Sequence, residues 1–191
     1  MTKANRFKLP SLYKRLMAVI IVIGPIYWLM LTEDGRRRTD LVVLYLAGEP
    51  TVELRLDTLA PAASEERFRE FVPDVEWQCE NTRTPLGERT CMSPIGSFND
   101  TPAHYMVLYY EENALQAMKV AYRDDYHDWL TAQLGRMLGQ PASGENGVLQ
   151  WNTGNGLVLM QEELPPDSEK PTLMWLSAEQ ARKRTAAMNR P

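Results

Sequence analysis

The chain has 191 residues, with 25 acidic against 21 basic side chains and a net charge of −4. That average hides a division: the first 39 residues hold eight of the basic and two of the acidic groups, leaving 13 and 23 for residues 40–191, a net of −10. So acidic a surface repels phosphate backbones, and no basic stripe interleaved with aromatics occurs, which excludes nucleic acid as a partner.

The first element is the uncharged run Leu16 to Thr32, LMAVIIVIGPIYWLMLT. As a helix it covers roughly 26 Å, just under the ~30 Å hydrocarbon core of a bilayer, and Leu12, Tyr13 and the snorkelling side chains of Lys14 and Arg15 extend it. Tyr27 and Trp28 lie near its far end, where aromatic rings favour the membrane interface. LMLTEDGRRR offers no small-x-small cleavage site, and no cysteine follows that could carry a lipid, so the run is expected to be an uncleaved anchor. Lys3, Arg6, Lys8, Lys14 and Arg15 precede it; Arg36, Arg37 and Arg38 follow, offset by Glu33 and Asp34. This bias predicts a cytoplasmic N-terminus and an extracytoplasmic C-terminal domain. Gly24 and Pro25 interrupt the run at its middle; a span that loses a backbone donor there suits packing against another membrane helix, which makes the pair a membrane-partner contact.

The basic tail is placed at 1–15, the anchor at 16–32, a linker at 33–39, an α+β domain at 40–176 and a C-terminal helix and tail at 177–191. Within the domain, LVVLYL at 41–46 reads as a strand, a break follows at Ala47 to Pro50, and Val52, Leu54 and Leu56 alternate as a second strand. Ser64 caps a short helix whose buried side is expected to be Phe68, Phe71 and Val72, and Pro73 stops it. Residues 75–80 and 89–92 read as the arms of a hairpin, 93–102 as a loop, and 105–110 with 115–122 as the strongest hairpin, the expected centre of the sheet. Asp124 or Asp125 opens a helix with Tyr126, Trp129, Leu130, Leu134, Met137 and Leu138 on one face, ended by Gly139 and Pro141. A hairpin around Asn152 to Gly156, a strand at 172–176 and a capping box at Ser177 to Gln180 complete the chain. The fold class is α+β: one transmembrane helix, then one antiparallel-sheet domain with two or three helices. Strand, strand, helix, hairpin describes both 41–93 and 104–160, an order consistent with a duplicated ββαββ unit. Tyr105, Tyr109 and Tyr110 cannot all share the face of Met106 and Leu108, so both faces of the sheet need covering.

The chemistry-bearing residues are few. Cys79 and Cys91 fall on facing arms of one hairpin, and outside the cytoplasm they form a disulfide. A loop of that length stabilises a fold by about 3 kcal/mol in the chain-entropy description. Two cysteines and two distant histidines lack metal-ligand spacing, and glycine-rich phosphate loops are absent, so neither metal nor cofactor is expected. His127, with Asp124 and Asp128, is the one cluster suited to acid–base work, against the plainer reading of a solvated acidic helix start. Ser93, Ser97, Ser143 and Ser168 lack a nucleophile context, and Asn99-Asp100-Thr101 matches a glycosylation acceptor. These readings lead to a non-catalytic accessory, assembly or scaffold subunit of a cell-envelope membrane complex, in a bacterial inner membrane with its domain in the periplasm. The alternative is an envelope enzyme or small-ligand-binding domain with a site near His127.

Overall fold

The structure is a computed structural model that describes residues 10–59, 63–143, 147–166 and 170–188. The basic tail before Pro10 and Ser168 lie outside the described residues. The chain divides into two compact units, Met1–Asp40 and Leu41–Pro191.

In the first unit, helix α1 (Ser11–Leu31) runs through Gly24 and Pro25 without interruption. Residues Leu12–Leu31 are long and apolar enough to cross a membrane, and none of that stretch is buried within the chain. Thr32 is extended and serves two helices: its hydroxyl donates to the Trp28 carbonyl at 2.7 Å and accepts the Gly35 amide at 3.0 Å. It thereby closes α1 and N-caps helix α2 (Glu33–Leu46), whose first turn carries Glu33 and Asp34 at the positive end of the dipole. Asp34 pairs with both Arg37 and Arg38.

Helix α2 replaces the strand expected at 41–46. The apolar run is the final part of a helix that starts at Glu33, and it ends in a Schellman motif: Gly48, at φ +79°, donates to the Tyr45 carbonyl and Glu49 to that of Leu44. Only Thr51–Val52 (β1) remains of the second expected strand. Ser64 caps α3 (Glu65–Phe71) through the Arg67 amide, and α3 buries Phe68; Val72 is buried as expected, while Phe71, expected on the same side, is exposed.

Among the described residues, ten strands form one sheet. Strands β2 (Gln78–Glu80), β3 (Arg89–Pro94), β4 (Ser97–Phe98), β5 (Thr101–Glu111) and β6 (Ala114–Tyr122) come first. A 3-10 turn (Asp124–Tyr126) leads into α4 (His127–Leu138), followed by β7 (Ala142–Ser143), β8 (Val148–Asn152), β9 (Gly156–Gln161), β10 (Thr172–Ser177) and α5 (Ala178–Met188). The antiparallel order is β2-β3-β5-β6-β10-β9-β8-β7, with β4 pairing the start of β5 and β1 lying parallel to β4. The ββαββ order expected for the first segment is absent, since that segment opens with a helix. Strands β2 to β6 follow α3 and strands β7 to β10 follow α4, and β6 and β10 lie side by side.

Two turns in the sheet use paired left-handed residues without glycine: Asn99 and Asp100 join β4 to β5, and Glu112 and Asn113 join β5 to β6. Both match the twist of the flanking strands. The β4–β5 hairpin lies inside the segment read as loop. Along β5 and β6, Met106, Leu108, Tyr110, Met118, Val120 and Tyr122 face one side, where α3 and α4 supply Phe68, Leu130 and Leu134. Met137, expected on the buried face of α4, is exposed. Tyr109, with Leu157, Leu159, Met174 and Leu176, faces the other side, where α5 contributes Ala181. Both faces are therefore apolar, as the tyrosine pattern requires. Gln116, the extra residue of a β-bulge in β6, accepts the Ser177 hydroxyl at 3.0 Å, and Ser177 in turn takes the Gln180 amide to cap α5.

Gly156 has no room for a side chain: a Cβ would fall on the Leu176 carbonyl oxygen and within 2.7 Å of the Trp175 indole nitrogen. Gly156→Ala is expected to destabilise the domain by roughly 1–3 kcal/mol, read from urea unfolding of the detergent-solubilised chain; an unchanged midpoint would contradict the β9–β10 register.

Candidate functional site

Two clusters of reactive side chains are assembled by the fold. The first lies where α3 meets β2 and β3. Cys79 and Cys91 are register partners, their Cα atoms 4.0 Å apart, and they form the disulfide expected from the hairpin. Glu65, in the first turn of α3, bridges two cations: its carboxylate takes Arg69 at 2.9 Å, one helical turn on, and Arg89 of β3 at 2.6 Å. Arg69 also donates to Cys79 Sγ at 3.3 Å, and a Glu65 oxygen lies 3.5 Å from the same sulfur. The Arg89 hydrogen bond is the main reason the Glu65 carboxyl is held below the ordinary value of 4.5; burial opposes it and Arg69 assists. Tyr110 reaches the cluster from β5, its phenol pushed well above the usual range by burial and by Glu65. Glu65, Cys79 and Cys91 are close enough to share a metal ion, but sulfurs joined in a disulfide offer no thiolate to bind one.

The second cluster is the one expected near His127. Asp124, Asp125 and Asp128 are exposed and line a shallow cleft of about 320 Å³ with Glu162, Glu163 and Leu164. His127 is 8% exposed and turned inward. Its Nδ1 lies 2.7 Å from the Tyr122 hydroxyl and its Nε2 3.1 Å from the Glu162 carbonyl. Burial raises the Tyr122 phenol far above the usual range, so Tyr122 stays protonated and donates to Nδ1, leaving the Nε2 proton for Glu162. Both ring nitrogens are thus occupied by the protein. The ring fastens β6 to the segment after β9, and the acidic groups beside it do not hydrogen-bond to it.

Ser93, Ser97 and Asn99 have structural partners. His104 is the extra residue of a bulge in β5, and burial first, with Arg123 and Lys170, lowers its pKa. The Ser93 hydroxyl donates to the Glu76 carbonyl and Ser97 to Thr51. The Asn99 amide exchanges two hydrogen bonds with the backbone of Leu54, at 2.8 and 2.9 Å, so the glycosylation acceptor is engaged in holding the chain after β1. Gly24 has open space around it in α1. The Glu65, Arg69 and Arg89 grouping was not legible beforehand: Arg89 lies 24 residues from Glu65 and joins it only after α3 folds onto β3, though the cysteine hairpin marked the place.

No protein-family model, curated protein or solved structure matches this chain.

Two outcomes test these assignments. Tyr122→Phe removes the donor to a buried imidazole nitrogen and is expected to cost about 1–3 kcal/mol in chemical unfolding. Because the folded Glu65 pKa is depressed, its contribution is full above 4.5 and is lost as pH falls through the folded value. Glu65→Gln should lower stability at neutral pH and flatten the decline on the acid side of 4.5, measured by thermal unfolding across pH.

Proposed function

We propose that this chain is a single-pass membrane protein with its N-terminus in the cytoplasm and residues 41–191 on the extracytoplasmic side, in the simplest case the periplasm of a bacterial inner membrane. It acts there as a non-catalytic accessory, assembly or scaffold subunit of an envelope membrane complex. The carrying observation is the end of α2, where Val42, Val43, Tyr45 and Leu46 are 56%, 58%, 75% and 77% exposed. Positions i, i+1, i+3 and i+4 share one side of a helix, and contiguous apolar surface of this kind marks an interaction site. An apolar helical face of a second membrane protein suits it best. The anchor supplies further surface, since the described residues of its apolar stretch are not buried. The disulfide accords with an oxidising compartment.

An envelope enzyme or small-ligand-binding domain acting through Asp124, His127 and Asp128 has less support. A general base needs a free nitrogen within reach of a substrate, and both nitrogens of His127 are engaged.

A photo-crosslinking residue in place of Tyr45 is expected to give a discrete adduct with another membrane protein in native membranes, whereas the same residue at the exposed position Glu66 gives none. Gly24→Leu with Pro25→Leu should leave insertion intact and lower co-purification of that partner several-fold. A chain recovered alone in both arms, under conditions that preserve weak complexes, would remove the subunit reading.

A further inference from the structure

The Cys79–Cys91 cystine is asymmetric. Cys91 sits in the core at 1% exposure, whereas Cys79 is partly exposed on β2, a strand of three residues at the outside of the sheet. The less buried of the two cysteines is also the one with a cation on its sulfur. Arg69 donates to Cys79 Sγ at 3.3 Å, and Glu65 holds that guanidinium in place at 2.9 Å. Glu65 lies close enough to the sulfur to oppose a negative charge there, but Arg89 neutralises it from the other side at 2.6 Å. The charged groups within reach of Cys79 Sγ are Arg69 and Glu65 from α3, and Arg89 from β3 pairs with that same Glu65; Tyr110, from β5, stays neutral. A cation adjacent to sulfur favours thiolate over thiol.

We infer that the Cys79–Cys91 pair is a thiol–disulfide exchange site in which Cys79 is the sulfur attacked and then released, Arg69 is the positioning residue for its thiolate, and the co-reactant is a dithiol. The inference rests on this cluster alone and is independent of the surface at the end of α2. A thiolate of the dithiol attacks Cys79 Sγ, the accessible sulfur, forming a mixed disulfide and expelling Cys91 as a thiolate that takes up a proton inside the core. The second thiolate of the dithiol then attacks its own sulfur in the mixed disulfide, closing a disulfide in the co-reactant and releasing Cys79. The cystine gains two electrons and one proton, the proton on Cys91, and leaves Cys79 as a thiolate; the dithiol loses two electrons and two protons, the second proton passing to water. The released Cys79 sulfur meets a guanidinium that already donates to it, so the charge is stabilised without rearrangement. Run in reverse, the same steps oxidise the pair.

The test uses the full chain in detergent. Dithiothreitol is expected to reduce the pair with the domain still folded. Glutathione, quenched with an alkylating agent, should give a mixed disulfide on Cys79 and alkyl on Cys91, read by mass spectrometry without any variant. In the reduced chain, the pH midpoint of Cys79 alkylation should lie below that of an ordinary cysteine. Arg69→Met should raise that midpoint and shift the exchange equilibrium about tenfold toward the disulfide, about 30 mV, with Arg69→Lys recovering part of the change. Reduction only on unfolding, glutathione found equally on Cys91, or a midpoint unmoved in a folded Arg69→Met chain would each overturn the assignment.

Discussion

The β5–β6 hairpin is the member against which every other part of the domain is registered. β3 and β4 pair with β5, β10 pairs with β6, and every strand beyond them reaches the sheet through one of these. Its turn is two residues, Glu112 and Asn113, both left-handed, so local backbone geometry fixes the register of the two strands. That register directs Met106, Leu108, Met118 and Val120 toward α3 and α4; a slip of one residue would send them to the opposite face. The two bulges in the same hairpin then make exceptions where polar groups are needed. One delivers Gln116 to Ser177 at the start of α5, and the other accommodates His104.

Much of this was legible in the chain. Alternation over 105–122 identified the central hairpin, the capping residues Ser64 and Ser177 marked two helix starts, and the paired cysteines aligned β2 with β3. The misreading of 41–46 has a physical cause. LVVLYL is as good an apolar strand as it is a helix end, and periodicity over six residues does not decide between them. Gly48 with Pro50 beyond it is a helix-terminating signature as much as a strand break, and Thr32 with two acidic residues behind it is a helix start; read together they bracket one helix. The loop read at 93–102 hid a hairpin because its turn is Asn-Asp rather than a glycine pair.

The candidate chemistry separated along similar lines. His127 attracted notice through its acidic neighbours in sequence, yet its partners are Tyr122 and Glu162, which only the packing of α4 on the sheet brings to it. The cysteines were evident, but their electrostatic setting was not, because Glu65 and Arg89 are brought together by tertiary contact. Sequence proximity thus pointed to partners that the His127 ring does not use and did not show the charges gathered at Cys79. Local charge patterns describe the surface of an element, and chemistry depends on which surfaces the fold turns toward each other.

The sheet is widest in the middle, where β5 runs for 11 residues, and tapers to β2 with three and β7 with two. Unpaired backbone donors and acceptors at a rim are templates for another chain, and their hazard grows with the number available in a row. With rims this brief, and one of them also tied down by a covalent bond to its neighbour, the domain can carry a broad apolar sheet in a crowded compartment without offering a length of backbone on which copies could polymerise.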